Sequence, residues 1–139
     1  MAYWLLKTEP EEFSWDDQVK RGPKGEAWTG VRNFTARGNL KAMKKGEQAF
    51  FYHTGDEKQV VGIVEIIREA YPDKTDEKGV FVCVDTRAVK PFAKFVTLAE
   101  VKADPKLKTM VLAREPRLSV QSVTDEEWKL ICRMGGVKE

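Results

Sequence analysis

The chain is poor in the residues that catalysis and metal binding draw on. Its 139 residues include one histidine, His53, and two cysteines, Cys83 and Cys132, 49 positions apart. Zinc sites need His and Cys ligands clustered at short spacings, and these three residues offer none. One histidine without a Cys–His context also leaves little from which to build an activated nucleophile. No GxSxG elbow, P-loop or GxGxxG occurs. These absences point away from an enzyme and lead us to expect no metal and no cofactor.

Long hydrophobic runs are missing too. The most apolar stretch, VVGIVEII, falls well short of the roughly 20 residues that span a bilayer, so no membrane partner is expected. The start has no basic segment followed by an apolar run, hence no sign of a signal peptide. The few cysteines sit in apolar contexts and read as buried, reduced thiols, which fits a cytoplasmic protein. A large excess of charge is also lacking, since the net is only +2. The distribution says more. Five basic residues and no acid lie between Arg32 and Lys45, whereas five acids and no base lie between Glu9 and Asp17. Such polarity steers a charged partner even when the total is near zero.

What is present suits one domain of 139 residues, with the last few expected to form a flexible tail. Apolar residues make up 42%, enough for a core without staples. YWLLK, residues 3–7, reads as a strand, and Ser14 caps a helix whose Asp17 favours the dipole. The other acid runs, 11–12 and 125–127, are likewise read as helix starts. Residues 21–26 form a loop by their glycines and proline. A helix over 33–45 follows, with Ala36, Leu40 and Met43 on its core face and Gly46 after its end. Residues 47–53, 59–68 and 79–89 are β-branched and aromatic strands. Gly62 within one of them marks a bulge or a close approach. Beyond Pro91, Thr97 with Glu100 and Thr124 with Glu127 make capping boxes, and Val96 with Val101 and Val123 with Trp128 make staples. Residues 117–123 close the sheet. The expected fold is α+β, a small barrel of five or six strands flanked by helices.

WTGVRNF, Trp28 to Phe34, mixes an aromatic plate with hydrogen-bonding groups just ahead of a helix. Trp28 is either a core residue or a wall on which a nucleobase stacks. Arg32 and Asn33 suit base edges or phosphate, although Asn33 also fits as the helix cap. Arg37, Lys41 and Lys44 recur at i, i+4 and i+7, a stripe that is either a solvated face or a phosphate track. His53 closes a strand beside Tyr52, either as a polar exit from the sheet or as a pocket donor. Lys7 and Thr8 end the first strand and could meet it there.

The segments YWLLKTEP, WTGVRNFTARGNLKAMKKGEQAFFYHTG, VVGIVEI with AYPD, and RLSVQSVTDEEW resemble the EVE domain family of the PUA-like superfamily. The resemblance covers nearly the whole chain, in the family's order and spacing. It implies a PUA-like barrel that reads nucleic acid, DNA or RNA, through a modified base, with relatives in bacteria and in eukaryotic nuclei. The expected location is the cytoplasm, of bacterial type, with association to the nucleoid as an option. The family is similar in turn to YTH domains, which hold a methylated adenine in an aromatic cage. The matching positions here are Lys7 with Thr8, and Trp28 with Thr29. The RLSV motif adds Arg117 and Ser119 as rim residues. The chain departs from the family in having Thr8 and Thr54 where serine is usual, Phe34 for tyrosine and Ser122 for proline.

The expected site is therefore a barrel-end pocket for a flipped or unpaired base. Trp28 is its wall. Lys7, Thr8, Thr29, Asn33, Tyr52, His53, Arg117 and Ser119 surround it, and Arg32, Arg37, Lys41 and Lys44 hold phosphate. Two other readings stay open: an RNA-binding accessory module that recognises RNA shape, and a small hydrolase or nuclease on the same scaffold. The sequence is silent on oligomeric state.

Overall fold

Successive side chains of a strand point to opposite faces, and both faces of this sheet are apolar. In strand β1, Tyr3–Thr8, Leu5 joins a cluster with Phe50, Ile63 and Trp128. Trp4 and Leu6 join another with Trp15, Trp28 and Phe51. Strands covered on both faces read as continuous apolar runs, as FFY and VVGIV do.

The computed structural model describes residues 1–138. After β1 come α1 (Trp15–Lys20), a 3-10 turn (Gly22–Lys24), β2 (Glu26–Ala27), α2 (Phe34–Ala42), β3 (Gln48–His53), β4 (Gln59–Pro72) and β5 (Val82–Thr97). The chain ends with α3 (Leu98–Ala103), α4 (Val111–Arg114), β6 (Val120–Val123) and α5 (Asp125–Met134). The strands lie in the order β2-β5-β4-β3-β1-β6. β1 and β3 are parallel and the other neighbours antiparallel. Hydrogen bonds do not close the sheet, yet it winds around the second cluster. Trp28, next to edge strand β2, reaches Phe51 on β3 at 5.4 Å between ring centroids, although β5 and β4 intervene. Helix α2 packs against β4, β5 and β6, and the Asn39 amide donates to the Val120 carbonyl at 2.8 Å. The architecture is the expected α+β one, a six-stranded PUA-like barrel with helices on its flanks.

Local chemistry accounts for most boundaries. Capping boxes at Ser14, Thr97 and Thr124 start α1, α3 and α5. Gly62 has two roles. The register of β4 shifts beside it, and a Cβ there would come within 2.6 Å of the Trp15 ring.

Several boundaries differ from expectation. β5 runs on to Thr97, well past residue 89. Pro91 is tolerated because β2 pairs only with Asp85 and Thr86, so no strand pairs with β5 on that side at Pro91. β5 also begins at Val82 instead of residue 79, because the Asp76 carboxylate captures the amides of Val80 and Phe81. Helix α2 stops at Ala42, short of residue 45. Met43 is extended (ψ 139°) and the Lys44 amide donates to Glu47 instead. The same buried carboxylate accepts from the Trp4 indole and the Ala2 amide. Burial pushes its pKa up, but these donors outweigh it and hold it below the usual range. Residues 11–12 are not a helix start, since they lie in a turn ahead of the Ser14 cap. Of the expected flexible tail, Glu139 lies outside the described residues, while Val137 is buried and its amide donates to the Cys132 carbonyl at 2.9 Å. Among the described residues no helix is long and apolar enough to cross a membrane.

Candidate functional site

The C-terminal end of β1 is held from both sides. The Lys7 amide donates to the Ser119 carbonyl, and the Thr54 amide donates to the Thr8 carbonyl, each at 2.9 Å. Here β1 meets the 28–32 loop and the 116–119 segment, and a cleft of about 560 Å³ opens between them. That lies within the ~300–1,000 Å³ of typical ligand pockets. Lys7, Thr8, Trp28, Thr29, Arg32, Arg117 and Ser119 all line it, so these expected residues do come together.

Trp28 does so mainly as a core residue. Its amide donates to the Val84 carbonyl at 2.7 Å. Its indole meets Phe13 and Phe51 edge-on, and only 6% of the residue stays exposed. The core reading therefore holds, and the residue also lines the cleft. Lys7 is half-buried, and burial pushes its pKa down. Its ammonium donates to the Pro116 carbonyl at 2.9 Å and lies 5.7 Å from the centre of the Tyr52 ring.

The 28–32 loop takes its shape from Asp73, whose side chain is fully buried. One carboxylate oxygen accepts from the Gly30 amide at 2.9 Å and from Arg32 Nη1 at 3.2 Å. The other accepts from the Thr75 amide and hydroxyl at 2.8 and 2.6 Å. Burial raises the carboxyl's pKa, but these donors outweigh it and the net shift is downward. Gly30 sits at φ +88°, a left-handed conformation that suits glycine.

Six expected site residues do not line this cleft. Asn33 caps α2, its side chain accepting from the Ala36 amide at 2.9 Å. It lines a shallower groove next door, which Arg117 shares. His53 is a structural link: its Nε2 accepts from the Trp15 amide at 3.1 Å, so Nδ1 carries the proton and donates to Glu57 at 2.8 Å. That bond to His53 is the largest cause holding the Glu57 carboxyl below its usual pKa. Tyr52 points to the opposite face of β3, into the first cluster, where burial pushes its phenol up to about 12. Arg37 turns towards the Phe34 ring and the Val80 carbonyl. Lys41 and Lys44 are exposed, and the stripe is broken because Lys44 falls beyond the end of α2.

The cleft also has walls that sequence patterns did not single out. Glu9, Glu12, Phe13, Arg21, Glu26 and Thr54 line it. Arg21 pairs with Glu26 at 3.2 Å and lies over Phe13 with 5.6 Å to the ring centre. The signal was present in the acidic run from Glu9, whose first part belongs to the cleft and only its second part to α1. Among the described residues no group of three His, Cys, Asp or Glu side chains could hold a metal ion.

The chain has many kin. A protein from Rhodopseudomonas palustris solved by NMR is 59% identical, with TM-score 0.93 over 100% of this chain and 96% of that one. The crystal structure of human THYN1 protein in complex with DNA containing 5-methylcytosine is 35% identical, with TM-score 0.91 and all of both chains covered. Thymocyte nuclear protein 1 of Gallus gallus is 38% identical over 94% of this chain and 67% of its own length. A YTH domain from Zygosaccharomyces rouxii, solved with N6-methyladenosine RNA, is 14% identical with TM-score 0.57, which shows a shared fold alone. The EVE domain model matches residues 2–134, and with that match over nearly its whole length the chain belongs to the EVE domain family.

Proposed function

We propose that this chain is a nucleic-acid-binding protein that reads a modified nucleobase turned out of its strand into the barrel-end cleft. The observation that carries the reading is a cleft combining an aromatic wall, a half-buried lysine, hydroxyls and carboxylates, in a relative of the human protein that was solved with 5-methylcytosine-containing DNA. The carboxylates favour a base over a phosphate as the deep ligand. Glu9 and Glu12 would repel an anion, whereas they can accept from the exocyclic amine of cytosine or adenine. Exposed Arg117 and the remaining donors of Arg32 then serve the strand outside. Extruding a base costs a few kcal/mol, so a single-stranded or weakly paired site is the easier substrate. The reading needs binding without turnover.

The test is binding of matched oligonucleotides, as DNA and as RNA, with and without 5-methylcytosine or N6-methyladenine, at several salt concentrations. Burying one methyl group contributes about 0.8 kcal/mol, roughly four-fold in affinity. A preference of at least that size for one modified strand is expected. Equal affinity for every modified and unmodified pair would refute the reading. A preference for RNA over DNA without regard to modification would favour the shape-reading alternative.

A further inference from the structure

One surface feature beside the cleft is used neither by the core nor by the pocket. Phe34, the first residue of α2, is 63% exposed. It stands within a layered stack. The Arg37 guanidinium lies 4.9 Å from the Phe34 ring centre, Phe34 meets Phe81 at 5.2 Å and 34°, and Arg32 lies 5.6 Å from the Phe81 ring centre. Each layer is pinned from elsewhere. Asn33 fixes the start of α2 and so the place of Phe34. The Phe81 amide donates to Asp76 at 2.7 Å. Arg37 donates to the Val80 carbonyl at 3.1 Å, and Arg32 to Asp73 and Thr75. The aspartates turn inward to backbone amides, and among the described residues Arg37 pairs with no carboxylate, so the outer face is cationic and aromatic.

An exposed ring held against the Arg37 guanidinium and the Phe81 ring fits nucleic acid, because bases stack on aromatic faces while arginines take the backbone. The stack is also continuous with the cleft, since Arg32 belongs to both. We propose that Phe34 is a stacking platform for the nucleobase next to the one held in the cleft, with Arg37 holding the adjoining phosphate. This rests on the nucleic-acid reading above and adds a second contact to it. It also gives Arg37 a place on the strand without the helical stripe.

The test is a cycle between protein and ligand. Wild type, Phe34→Ala and Phe34→Tyr are titrated with a labelled single-stranded oligonucleotide carrying one 5-methylcytosine. Its unmethylated counterpart is titrated too, together with versions that have an abasic site on one or the other side of the modified base. Phe34→Ala should bind both full strands roughly 5- to 150-fold more weakly, with the methyl preference intact. Phe34→Tyr should bind like wild type. An abasic site on one flank should weaken wild type by a similar factor and leave Phe34→Ala unaffected. Because Phe34 is exposed, the melting temperature serves as a folding control and should not move. If wild type prefers the methylated strand and Phe34→Ala binds as it does, the platform is refuted and the cleft reading stands. The platform also fails if the loss in Phe34→Ala persists with both flanks abasic, as it would for a surface that docks a protein. If wild type binds none of the strands, both readings fall.

Discussion

The indole of Trp28 meets the ring of Phe51 edge-on, with centroids 5.4 Å apart and planes at 87°. Residues from distant places in the sheet order thereby touch across the wound sheet. A tryptophan that lines a cleft is thus also a core side chain, and its loss must be felt in stability first.

Trp28→Ala should therefore cost on the order of 3–5 kcal/mol of folding free energy, read by urea denaturation. This exceeds the modest loss expected of a wall only partly covered by protein. Trp28→Phe, which keeps apolar contact with Phe13 and Phe51, should cost clearly less and allow binding to be measured on a folded protein. A loss below about 1 kcal/mol in Trp28→Ala would mean that the loop gives way easily and that the packing of Trp28 on Phe13 and Phe51 contributes little.

Lys7 offers a trade-off between stability and binding. Burial lowers its pKa, so the folded state holds this proton less tightly than the unfolded chain does. Stability from this group accordingly rises with pH from the folded pKa up to the unfolded one, about 10.4. At neutral pH the charged lysine is a burden on the fold. Lys7→Met keeps the stem, and water can satisfy the exposed Pro116 carbonyl. The substitution should raise the melting temperature while weakening oligonucleotide binding by about 10-fold or more, the size of one charged hydrogen bond. A lower melting temperature together with unchanged binding would make Lys7 a structural residue only.

Asp73 governs the 28–32 loop and predicts a pH dependence of the opposite sign. Its net pKa shift is downward despite burial. Its contribution is thus fully present above the unfolded value, about 3.9, and is lost as pH falls through the folded value. Asp73→Asn should destabilise the protein at pH 7 by about 2 kcal/mol, since charge-assisted bonds to Gly30, Thr75 and Arg32 are weakened. The gap between wild type and variant should narrow in denaturation curves taken below pH 4. A constant gap down to pH 2 would show that the carboxylate's charge has no part in ordering the loop.

Much of this protein was legible in the chain itself. The three N-terminal caps at Ser14, Thr97 and Thr124 depend on residues three positions apart, and such local chemistry acts wherever the sequence occurs. The strand segments show in their β-branched and aromatic content, and Gly62 announced its bulge. Lys7, Thr8 and Trp28 could be placed together because the family's motifs bring them into one pattern. Tertiary structure decided the rest, by contacts that no local window contains. Neither Tyr52 nor His53 reached the cleft, and alternation along β3 sent Tyr52 into the first cluster. Asn33 went to the cap and His53 to Trp15 and Glu57, because buried donors and acceptors must find partners wherever the fold brings them. The Asp73 carboxylate, 43 residues from Gly30, shapes the loop that opened the question of a base-reading site. Its role arises only when the β4–β5 hairpin folds back over that loop, and nothing in the sequence around either residue predicts the meeting.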